Sequence, residues 1–84
     1  MELNTIIGYK RFRNEHNVER LVVHVVQKPE QDDVRNGHIG FIIADVWIPE
    51  KLFGRFTPDC VGKVLKASFE LAGKYTRVVD VEFI

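Results

Sequence analysis

Val61-Gly62-Lys63-Val64-Leu65-Lys66-Ala67-Ser68-Phe69-Glu70-Leu71 decides the fold, because it fits two periods at once. On a helix, Val61, Val64, Leu65, Ser68, Phe69 and Ala72 share one face, and Asp59, Lys63, Lys66 and Glu70 share the other. Thr57 would cap that helix, Pro58 would take its first position and Gly73 would stop it. On a strand, Leu65, Ala67, Phe69 and Leu71 alternate strictly with Lys66, Ser68 and Glu70. Intrinsic propensity leans to the helix, given the Lys, Leu, Ala and Glu content. Pairing leans the other way. Folding the stretch back on Arg77–Ile84 through Gly73-Lys74-Tyr75 sets Phe69 opposite Val79, Ala67 opposite Val81 and Leu65 opposite Phe83. The same register sets Lys66 opposite Glu82, so both faces agree. Gly62 would also cost a helix about 1 kcal/mol relative to Ala. The strand is the reading adopted.

Outward from this stretch the chain breaks into short apolar runs. Leu3–Phe12 reads as a first strand, and Asn14-Glu15-His16-Asn17 as a turn, since Asn bonds nearby backbone and tolerates left-handed conformations. Leu21–Val26 carries four Val in six residues and reads as a second strand. Pro29–Gly37 is a polar loop. His38–Trp47 is a third strand, apolar on both faces, which predicts a central, covered position. Pro49–Gly54 reads as one short helical turn.

The order is three strands, a short helix and two strands. That plan resembles the five-stranded Greek-key barrel of the OB-fold, with its helix between strands 3 and 4. Gly8 in mid-strand suits the bend that a barrel's first strand needs. The alternative is an α+β fold, a four-stranded antiparallel sheet with one helix at about 58–72. The resemblance is one of pattern and carries no diagnostic motif.

Length and composition bound what such a fold can do. Eighty-four residues make one domain, 1–84, and 45% hydrophobic content supplies its core. A single Cys excludes an internal disulfide and any Cys-cluster zinc site. His16, His24 and His38 lack metal-ligand spacing, so no metal and no cofactor are expected. Cys60 has no adjacent base, and no acid, base and nucleophile form a set, so the chain reads as non-enzymatic. Asp45 stands out as a carboxylate inside an apolar strand, so it is expected near a strand end or paired with a Lys or Arg. No apolar run approaches the roughly 20 residues that span a bilayer. With no signal-peptide pattern visible, a cytoplasmic setting without membrane attachment is expected.

Twelve Lys+Arg against twelve Asp+Glu exclude a globally basic polyanion binder. The charges are nonetheless unevenly spread. Residues 9–13 hold three cations and no acid, and residues 30–33 hold three acids and no cation. Tyr9-Lys10-Arg11-Phe12-Arg13 interleaves rings with cations, which is what a platform for single-stranded DNA or RNA requires. Arg20 lies at the end of the first hairpin, and Lys74, Tyr75 and Arg77 at the last. In an OB-like barrel these fall in the loops that grip oligonucleotides. A protein partner or self-association is the alternative, through Trp47, Phe53 and Phe56 or through the terminal edge strand.

Overall fold

The computed structural model describes residues 1–84. Five strands dominate: β1 (Ile6–Arg13), β2 (Glu19–Gln27), β3 (Ile42–Ile48), β4 (Leu65–Ala72) and β5 (Tyr75–Phe83). A short helix, α1 (Gln31–Arg35), joins β2 to β3. Two 3-10 turns, Glu50–Arg55 and Pro58–Cys60, lead from β3 to β4.

The deciding stretch is a strand. β4 pairs antiparallel with β5, with Leu65 opposite Phe83, Lys66 opposite Glu82 and Ala67 opposite Val81, as the two-face pattern predicts. The pairing then slips. A bulge after Ser68 sets Phe69 opposite Val78 rather than Val79. Val79 is the extra residue, and its insertion keeps Phe69 and Val78 side by side on one face. The hairpin closes through Gly73-Lys74, where Gly73 adopts φ 66°. A glycine with positive φ in the first central position suits a two-residue hairpin turn whose twist matches the strands.

The other three strands form an antiparallel sheet in the order β1-β2-β3. This corrects the placement of the third strand: β2 is central and β3 lies at an edge. The physical reason lies on β2. Val22 and Val26 point away from the core yet are each only 5% exposed, so β2 is the strand covered on both sides. β3 instead leaves Ile43 and Trp47 open. Residues 38–41 also precede the strand rather than belong to it, with Gly40 at φ 96°. The polar loop 29–37 contains a five-residue helix that no apolar period announces. The Glu30 N–H donates to the Asp33 carboxylate at 2.9 Å and starts it.

The two sheets share one core and meet at one seam. Twelve buried residues form a single cluster, drawn from β1–β5 and from the segment between β3 and β4. At the seam, Thr5 bridges Val64, and the Ile6 N–H donates to the Lys63 carbonyl at 2.8 Å. The Gly62 N–H returns a bond to the Ile6 carbonyl at 2.7 Å, with Gly62 at φ 95°. No ladder joins β3 to β5, so the barrel expected from the strand order is not closed. A cleft of about 660 Å³ occupies that gap, with Val46, Ile48, Phe53, Phe69 and Val78 in its lining.

The radius of gyration is 14.0 Å, against about 12 Å for a compact chain of this length. The β4–β5 hairpin accounts for the excess, because every residue from 68 to 77 is exposed. No helix is long and apolar enough to cross a membrane.

Candidate nucleic-acid interface

Strand parity sorts the sequence-expected residues onto two faces. Along β1, Tyr9, Arg11 and Arg13 point one way, and Lys10 and Phe12 point the other. Tyr9 turns inward, its ring 6.4 Å from that of Phe56 in the core. Arg11 follows it, with its guanidinium 5.2 Å from the centre of the Phe53 ring and paired to Glu19. That pairing is a diagonal contact across the β1–β2 ladder. The Arg11 hydrogen bond holds the Glu19 carboxyl below the usual carboxylate range. Arg13 donates to the Asn17 carbonyl at 3.2 Å and so braces the turn. In that turn the Asn14 side chain accepts from the His16 and Val18 N–H groups at 2.9 and 3.0 Å, and Asn17 sits at φ 61°.

The outward set is different. Lys10 pairs with Val22, Phe12 with Arg20, and Val22 in turn with Trp47, which lays these five residues across one face of the sheet. The Phe12 and Trp47 rings meet edge to face at 6.1 Å. The Lys10 ammonium lies 5.1 Å from the centre of the Phe12 ring, and the Arg20 guanidinium 5.4 Å from that of Trp47. Neither cation has a carboxylate within 4.0 Å. Trp47 is 51% exposed, and the buried Val22 belongs to no part of the main core. The rings therefore form a layer of their own outside the core, with Val22 beneath. Farther along the face, His24 and Asp45 are cross-strand partners with Nδ1 and Oδ1 2.6 Å apart. This corrects the expectation for Asp45: it lies in the middle of β3 with its side chain more than half exposed, and its partner is His24 rather than a Lys or Arg.

The remaining expected residues lie on the projecting hairpin. Lys74 and Tyr75 are exposed near its tip, while Arg77 is committed to Glu70, with Nε 3.0 Å from the carboxylate. Of the expected cations, Lys10, Arg13, Arg20 and Lys74 thus have no carboxylate partner, and Arg11 and Arg77 are neutralised. Tyr9 and Arg11 share the inward side of β1, whereas Tyr75 lies on the separate β4–β5 hairpin.

Phe53 and Phe56 are buried in the core, which removes them as interface candidates and leaves Trp47. They pack in the same buried cluster as Leu52 and Cys60. Burial pushes the Cys60 thiol above its usual range, which suits a packing role. Sequence reading placed Trp47 apart from Phe12 because 34 intervening residues hide a neighbour relation that only the ladder creates. The signal available was Val22 and Val26, outward positions too apolar to be left bare. Compared with protein-family models, curated proteins and solved structures, the chain matches none.

Proposed function

We propose that this protein is a non-enzymatic binder of single-stranded nucleic acid. It would act through the outer face of its three-stranded sheet, in an opened OB-like arrangement ordered β3-β2-β1-β4-β5. One observation carries the reading: Phe12 and Trp47 stand outside the core in mutual contact, each beside a cation that no carboxylate neutralises. Rings of this kind offer bases a stacking surface worth about 1–3 kcal/mol per base. Lys10 and Arg20 are free to leave the rings and follow phosphates. Their position also agrees with the face that OB-folds present to oligonucleotides.

Trp47 is the only tryptophan, so its fluorescence reports on the site directly. Titration with a mixed-sequence single strand of about 15 nucleotides is expected to quench it, and salt to weaken binding steeply. Replacing both Lys10 and Arg20 by Ala is expected to reduce the salt slope by about 1.4, at roughly 0.7 per phosphate contact on a single strand. Replacing the ion-paired Arg11 and Arg77 should leave that slope nearly unchanged. Absence of binding in low salt overturns the proposal.

A second reading has one supporting observation. Ile39, Phe41 and Ile43 are exposed on and just before β3, whose far edge carries unpaired backbone groups. Such an edge suits pairing with a strand of another protein or of a second copy. Concentration-dependent self-association unaffected by nucleic acid would favour it.

A further inference from the structure

A carboxylate in the middle of a phosphate-binding face is a liability unless it reads something other than phosphate. Asp45 is such a group. It sits two residues from Trp47 on the same side of β3, about 7 Å along the strand. That is close to the reach of a base stacked on the indole. Its Oδ1 accepts from His24 Nδ1, which fixes the orientation of the carboxylate, since an ionised carboxylate can only accept. Its Oδ2 has no partner, and the side chain is more than half exposed. Val22 and Val26 flank His24 on the strand and are buried, so the pair stands on an apolar floor. Opposite His24 is Gly8, where even an added Cβ would stay 4.0 Å from the imidazole ring. Gly8 itself has no side chain to cover the pair.

A free carboxylate oxygen repels phosphate and accepts from N–H donors. Cytosine, adenine and guanine offer an exocyclic amine to it. Thymine and uracil offer carbonyl oxygens in the corresponding places, with one N–H between them. We propose that Asp45, oriented by His24, reads base edges and makes the site prefer amino-bearing bases over thymine and uracil. The inference rests on the single-strand reading above and names the bases that reading leaves open. In this arrangement the backbone of the strand runs along Lys10 and Arg20, the bases lie over Phe12 and Trp47, and their edges turn to Asp45.

The test compares oligo-dC with oligo-dT by Trp47 fluorescence at about pH 8, where carboxylates are ionised and cytosine is unprotonated. Both are pyrimidines, so stacking differs little between them. Oligo-dC is expected to bind at least about fivefold more tightly, the low end of discrimination for a good base-edge contact. Asp45→Asn is expected to erase the preference, because an amide offers an acceptor to cytosine and a donor to thymine alike. Dimethylating cytosine at N4 removes the donors with the protein unchanged, and is expected to lower affinity to that of oligo-dT. Equal binding of the two strands overturns the inference and leaves the single-strand reading standing. Preference surviving in Asp45→Asn or with the dimethylated base does the same. Failure of the unaltered protein to bind either strand overturns both.

Discussion

Phe56 is the side chain on which the union of the two sheets depends most directly. It is 6% exposed, and its ring meets Tyr9 of β1 at 6.4 Å and Phe83 of β5 at 5.2 Å, the latter edge to face at 85°. It thus touches both sheets, which are otherwise joined by the short Thr5–Val64 seam and the shared core. Phe56→Ala removes a buried ring from a site that cannot collapse without moving one sheet, which places the cost at about 3–5 kcal/mol. Phe56→Leu keeps most of the apolar bulk and loses the two ring pairs, at about 0.5–1.5 kcal/mol each. A domain of 84 residues has roughly 4–13 kcal/mol in total, so the alanine variant should lose at least about a quarter of it. Urea denaturation followed by far-ultraviolet circular dichroism and by Trp47 fluorescence measures both quantities. Trp47 lies on the three-stranded sheet while circular dichroism sums both sheets, so coincident transitions in the unaltered protein would show that the sheets unfold together. A loss below about 1.5 kcal/mol for Phe56→Ala, at unchanged denaturant dependence, would refute the claim that this ring pins the sheets.

Two further outcomes follow from the backbone seam and from the one carboxylate whose ionisation the fold clearly favours. Gly62 has φ 95° and nothing within 4 Å of an added Cβ, so Gly62→Ala should cost about 1–3 kcal/mol through backbone strain alone. A melting temperature unchanged by that substitution would contradict it. Glu19 is held below its ordinary range by Arg11, so its contribution is present above the unfolded carboxylate range and is lost as pH falls through the folded value. Melting curves from neutral pH to about pH 3 should therefore show a shallower acid loss for Glu19→Gln than for the unaltered protein. Parallel acid limbs would exclude the pairing as a source of pH dependence.

Much of the local structure was legible because it follows from neighbours in the chain. The 14–17 turn needed only Asn14, whose side chain accepts from backbone two and four residues on, and Asn17, which takes the left-handed conformation. The β4–β5 pairing was legible from the two-face agreement of Leu65, Ala67 and Lys66 with their partners, and it outweighed the helix propensity of the same residues. It failed at Phe69, because a bulge changes register at a point where the alternation itself gives no sign. The helix at 31–35 escaped notice because it buries nothing and so needs no apolar stripe. Of the candidate site, the cations were legible as a set, and their division into free and paired was not.

The sequence by itself determined the charge balance, the single thiol, the five extended segments and a hairpin at the end of the described chain. These depend on composition, on period and on turn chemistry, all of which act within a few residues. Tertiary structure alone decided that β2 rather than β3 is central, that the sheets meet along β1 and β4, and that β3 and β5 stay apart. It also decided which side of β1 faces solvent, and thereby separated Lys10 and Phe12 from Tyr9 and Arg11. The reason is geometric. A strand's alternation defines two faces without labelling either as inside, and the label comes only from the core that the other strands and the 50–60 segment assemble.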